Sequence, residues 1–175
     1  NGSCLLPIWS QKTKFLGYNG FGICDKNTFA GSLDLQREAC KLELKYCFGY
    51  SLDILYNQEK VGAKIYSQSQ IGFKNILNIQ KTINIDHDDS VINSFELMDY
   101  AAGNALVFDK WSGEWLAAND DNIQDFINAF DGGVFFQVDL SEYKADRIDS
   151  QLLNSIKCYF DNFYKDGKYK MNIYP

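Results

Sequence analysis

The chain has 175 residues, 46% of them hydrophobic and 23% charged, with a net charge of −6. That composition suits one globular domain able to bury a real core, and it excludes a disordered chain. No apolar run approaches the ~20 residues of a membrane span, so no membrane contact is expected.

The charge is unevenly distributed. Residues 1–85 hold 10 basic and 6 acidic side chains (10 − 6 = +4), residues 86–149 hold 3 and 15 (3 − 15 = −12), and residues 150–175 hold 4 and 2 (4 − 2 = +2). An acidic middle repels a phosphate backbone, which argues against direct nucleic-acid binding and suits attraction of a basic protein. A solvated acidic surface is the plainer reading of the same pattern.

In chain order, Leu5-Leu6-Pro7 to Asn19-Gly20 reads as a short element and a Gly-rich turn, followed by a possible strand at Phe21-Gly22-Ile23. Leu35, Ala39, Leu42 and Tyr46 recur at helical spacing, predicting a helix from Asp34 to about Phe48, with Ser32 as N-cap and Gly49 as its end. Leu52, Ile54 and Tyr56 alternate as in a strand, as do Ala63 and Ile65 beside Tyr66. Ile71 to Ile85 fits helix or strand, with Ile76, Ile79 and Ile83 at helical spacing.

A hairpin follows. Leu106 and Phe108 face one side and Val107 the other, Asp109 to Gly113 turn, and Trp115-Leu116-Ala117 return. Asp121 and Gln124 then resemble a capping box for a helix whose stripe is Ile123, Phe126, Ile127 and Phe130, stopped by Gly132-Gly133. Val134 to Leu140 is strand-like, and Leu152, Leu153, Ile156, Phe160 and Phe163 mark a last amphipathic helix at about 149–164. With no repeat, no low-complexity linker and only Pro7 and Pro175, residues 1–175 read as a single α+β domain. Helices flank a small, mostly antiparallel sheet, and the helix at about 149–164 is an addition to the core.

The five cysteines are an odd number without metal-ligand pairing, and Cys40 and Cys47, seven apart, would share one helix face. Free thiols in a reducing cytoplasm are the reading they favour. His87, the only histidine, sits in Asp86-His87-Asp88-Asp89, which lacks calcium-loop spacing and reads as a solvated loop. No phosphate-binding loop or nucleophile elbow is present, so no catalytic residue, metal or cofactor is assigned. Most phenylalanines are core, whereas Trp111 and Trp115 lie beside charges at the turn, where exposed aromatics serve as protein anchors or sugar platforms.

Gly103, Leu106-Val107-Phe108-Asp109, Ser112-Gly113-Glu114-Trp115 and Asn122 to Ile127 together resemble the C-terminal half of the SUKH superfamily. That group includes bacterial toxin-immunity proteins and cell-wall assembly regulator-like domains. Leu6-Pro7, Trp9, Phe15-Leu16 and Asn19-Gly20 echo its earlier signature with spacing shifted by one or two residues, while Lys110-Trp111 enlarges the turn. The resemblance implies a non-enzymatic, SUKH-like domain that neutralises a toxin, often a basic nuclease, in the producing cell's cytoplasm. The expected partner-binding residues are Asp109, Glu114, Asp120, Asp121 and Asp125, with Trp111 and Trp115 as anchors. Two alternatives stay open: a hydrolase with a carboxylate or metal site near Asp86–Asp89, and a secreted carbohydrate-binding domain.

Overall fold

The computed structural model describes residues 5–86, 90–110, 112 and 123–137. In chain order these form α1 (Leu6–Phe15), β1 (Gly20–Lys26), α2 (Ser32–Lys41), β2 (Lys45–Tyr56), β3 (Glu59–Ser67), α3 (Gln70–Lys81), β4 (Val91–Asn93), α4 (Ser94–Asp99), β5 (Asn104–Phe108), α5 (Ile123–Ala129) and β6 (Val134–Phe136). A π-helical turn, Thr82–Asp86, continues α3 and carries Ile83 into the core.

The long β2 organises the sheet. One of its edges pairs antiparallel with β3, and the other is shared end to end by two parallel neighbours, β1 along Lys45–Ser51 and β4 along Asp53–Leu55. β3 pairs antiparallel with β5, and β5 pairs parallel with β6. The α+β class expected from the sequence holds. The sheet is mixed, with two antiparallel pairings at its centre and three parallel pairings around them.

Side chains alternate across a strand, so register decides which residues share a face. Tyr50, Leu52 and Ile54 of β2 align with Ile65, Ala63 and Val61 of β3, and Ile65 and Ala63 align with Leu106 and Phe108 of β5. These residues join Ile76, Ile79 and Ile83, Leu97, Ile123, Phe126 and Phe130 in one buried cluster. The helical spacing of Ile76, Ile79 and Ile83 therefore reports a helix, capped by Ser69, whose side chain accepts from Gly72 N at 3.1 Å. The stripe of Ile123, Phe126, Ile127 and Phe130 packs as its periodicity predicts.

Three local readings change. The helix expected to run to Phe48 ends at Lys41, and Tyr46, Cys47 and Phe48 belong to β2. Glu43 takes a left-handed conformation (φ 56°) between them, and β-branched-free but aromatic Tyr46 and Phe48 pair well on a pleated surface. Cys40 and Cys47 consequently share no helix face, and Cys24, Cys40 and Cys47 are all free thiols. Ser32 lies in the first turn of α2 instead of capping it; Gly31 is the N-cap, and Ser32 Oγ donates to Phe29 O at 2.7 Å.

Only the first strand of the expected hairpin and the start of its turn are described. Lys110 and Ser112 are helical, and both edges of Leu106–Phe108 are already occupied, by β3 and by β6. The returning segment Trp115–Ala117 lies outside the described residues. The cap at Asp121 and the helix at about 149–164 also lie outside the described residues.

Tyr50 gives a pH-dependent test of this core. It is fully buried under Phe29, whose ring stacks on it at 5.6 Å, and its hydroxyl has no hydrogen-bond partner among the described residues. Burial pushes its pKa up from 10.0 to about 12. Below about pH 10 the hydroxyl is protonated in both states and contributes no pH dependence. Above that, the unfolded chain loses its proton first, so stability falls until about pH 12. Tyr50→Phe is expected to raise stability at neutral pH by about 1 kcal/mol, because an unpaired buried hydroxyl is removed. It should also flatten the alkaline fall, both effects being read from urea unfolding across a pH series. A loss of stability at neutral pH would show that the hydroxyl has a partner.

Candidate protein-docking face

All five helices pack on the face that carries the core. Leu97, Ile123 and the α3 isoleucines lie in the core cluster, Gln36 of α2 bonds the Tyr46 hydroxyl at 3.1 Å, and Leu6 of α1 and Ile23 of β1 both approach Gly31. None of α1–α5 packs on the other face, although helical Ser112 is fully buried there beside Gly62, and Val91 and Ala105 are buried there too. Register places Cys24 and Lys26, Cys47, Ser51 and Asp53, Gly62, Lys64 and Tyr66, Val107 and Phe135 there.

That face is a half-buried polar and aromatic surface with several fixed side chains. Lys26 Nζ bonds both oxygens of Asp53, at 3.0 and 2.9 Å, and Lys64 Nζ donates to Gln137 Oε1 at 2.9 Å. The Tyr66 ring lies over Gly49, where an added Cβ would stand 2.7 Å from the ring. Glycine at 49 lets Tyr66 reach across and hydrogen-bond Cys24. Burial pushes the Cys24 and Cys47 thiols up, with the Tyr66 hydrogen bond opposing the rise at Cys24. The Tyr66 hydroxyl is itself raised, chiefly by burial and then by Cys24. Protonated thiols are weak nucleophiles, so this cluster orders the surface and is not an activated pair.

Asp109 stands on the same face at the end of β5. Its Oδ1 accepts from Ser112 N at 2.8 Å, Ser112 Oγ accepts from Gly62 N at 2.8 Å, and Asp109 N donates to Gly62 O at 3.2 Å. Ser112 is fully buried, so Asp109 helps to tie the chain back onto β3 as well as presenting a carboxylate. A Cβ at position 62 would collide with the Asp109 carboxylate, and Gly62 therefore makes room for it.

Asp125 is exposed on α5, which packs on the opposite, helical side of the sheet. The structure therefore does not bring Asp109 and Asp125 onto one surface. Trp111, Glu114, Trp115, Asp120 and Asp121 lie outside the described residues, as does His87. Among the described residues, no group of three or more His, Cys, Asp or Glu side chains could hold a metal ion. Tyr66, Lys64, Lys26 and Asp53 were missed from the sequence. Their signal was present in the alternation opposite Leu52 and Ile54, but alternation alone does not show which faces the helices leave uncovered.

No family model and no curated protein matches the chain. Among solved structures it is similar in fold to a protein of Bifidobacterium adolescentis ATCC 15703, provisionally described as a metal-dependent phosphoesterase. The TM-score is 0.55 at 10% identity, covering 92% of this chain and 79% of that one. At that identity the likeness concerns the fold alone. No described helix is long and apolar enough to cross a membrane.

Proposed function

We propose that this chain is a non-enzymatic protein-binding module of the SUKH-like, immunity type, acting in the cytoplasm against a basic toxin or nuclease. The observation that carries the reading is the one-sided placement of the helices. It leaves a broad sheet face bearing Tyr66, Phe135, Asp109 and the Lys26–Asp53 pair, a mixture of aromatic and fixed polar groups suited to protein contact. The acidic balance of residues 86–149 supplies the long-range attraction, and Asp109 belongs to that run.

The test uses the protein encoded beside this chain as the partner, with affinity measured by calorimetry. Binding should weaken at least about tenfold when salt rises from about 0.05 M to about 0.5 M. Charge reversal at Asp120 and Asp121 should weaken it further, and so should Tyr66→Ala, in variants whose unfolding midpoints match the parent. Binding indifferent to salt and to these changes would overturn the reading. So would metal-dependent hydrolysis of a phosphate ester that is lost in His87→Ala, the outcome suggested by the description of the Bifidobacterium protein.

A further inference from the structure

Helix α1 is folded inside out. Its buried side chains are the small polar ones, Ser10 and Thr13, and they allow close packing against α2. Apart from half-buried Leu6, its large apolar side chains point away: Ile8 is 60% exposed, Trp9 53%, Phe15 81% and Leu16 54%, with Leu5 at its start and Tyr18 just beyond it also exposed. Ile8 and Phe15, and Trp9 and Leu16, are i, i+7 pairs, so the four form one stripe two turns long. Exposed Leu33 belongs to α2, the helix against which α1 packs. A monomer rarely leaves so many large hydrophobic residues together in water.

We propose that the outward face of α1 docks on the surface of a lipid bilayer containing anionic lipid, with the helix lying in the interfacial plane. The choice of occupant rests on Lys12 and on local charge. Lys12 sits in the middle of the stripe, its ammonium 5.4 Å from the centre of the Phe15 ring. Lysine is depleted from the cores of protein interfaces. At a bilayer surface its stem lies along the apolar zone while the ammonium reaches lipid phosphate. Residues 1–24 contain Lys12 and Lys14 and no acid, although the whole chain is at −6. The α2 acids Asp34 and Glu38 are ion-paired with Arg37 and Lys41, so they add no net negative charge beside α1. Trp9 and Tyr18 are the amphipathic aromatics that settle at headgroup level. The absence of a membrane-length apolar run does not bear on a helix lying in the interface, and periodicity does not reveal that a stripe faces outward.

Flotation of the full chain with vesicles tests this. Vesicles with about one-third phosphatidylglycerol should carry the protein, and pure phosphatidylcholine vesicles should carry clearly less. Ile8→Glu and Phe15→Glu, both at exposed positions and checked for an unchanged circular dichroism spectrum, should each lower partitioning on the order of tenfold or more. Lys12→Glu should lower it only on anionic vesicles. No flotation of the parent, or flotation unchanged by both glutamate variants, overturns the proposal. Lipid-free self-association abolished by Phe15→Glu also overturns it, assigning the face to a second copy.

Discussion

Gly103→Ala is expected to cost roughly 2–5 kcal/mol, among the largest effects of any small substitution in this chain. Two separate costs add. Gly103 has φ +75°, a conformation that costs an L-residue about 1–2 kcal/mol. A Cβ there would also collide with Ser69 Oγ and stand 2.7 Å from Gly72 N and 3.1 Å from Gly72 Cα, an overpacking of about 1–3 kcal/mol. The backbone of the α3 first turn cannot yield easily, because Gly103 O accepts from Gln68 N at 2.9 Å and Gly103 N donates to Asp131 Oδ1 at 2.8 Å. Gln68 Nε2 in turn reaches Gly132 O at 3.2 Å, so the start of α3, the start of β5 and the turn before β6 meet at this point. Gly17→Ala is the matched control. It shares the positive φ (+77°) but has nothing within 4 Å of the added Cβ, so it should show only the conformational cost, about 1–2 kcal/mol. Equal losses for the two variants in urea unfolding would mean that the joint around Gly103 is not closely packed.

Gly103 also shows what the sequence could convey. Its place just before an apolar strand was readable, and so were the core faces of β2, β3, α3 and α5, because each buries a periodic stripe whose spacing survives in one dimension. The end of α2 was not readable. Leu42 and Tyr46 continue a helical period by coincidence, and only the turn at Glu43 and the pairing of Tyr46 with Phe21 on a parallel neighbour settle the state of that segment. The pairing of β5 was not readable either, for a topological reason. Local pattern cannot show that β5 will be sandwiched between β3 and β6, the second of them arriving from 26 residues later (134 − 108 = 26). The candidate site was less legible still. The charge of Asp109 is plain in the sequence, yet half of its role is to hold Ser112 and Gly62 in place. The role of Tyr66 and of the Lys26–Asp53 pair is not legible in the sequence, because it comes from where helices α1–α5 are absent, a property of tertiary packing. The inverted α1 belongs to the same class of surprise, since its apolar residues are easy to see and their direction is not.

Phe108→Ala is expected to cost about 3–5 kcal/mol, the usual loss for a buried phenylalanine that leaves a cavity. Phe108 is fully buried, meets Phe126 of α5 edge-on at 5.5 Å and stacks on Phe136 of β6 at 5.7 Å. Phe126 in turn touches Tyr56 at 5.5 Å, so one ring set joins β2, β5, β6 and α5. Truncation would loosen all four, and since whole domains are stable by only about 5–15 kcal/mol, the variant should lie near its unfolding threshold. Phe135→Ala is the informative companion. Phe135 adjoins Phe136 in the same strand, is 36% exposed, and points to the face on which none of α1–α5 packs. Its loss should cost about 1 kcal/mol or less, while weakening partner binding if that face is the docking surface. The two substitutions thus separate folding from docking on neighbouring strands. Comparable destabilisation by both would show that the second face is covered as firmly as the first, and the docking face would have to be sought elsewhere.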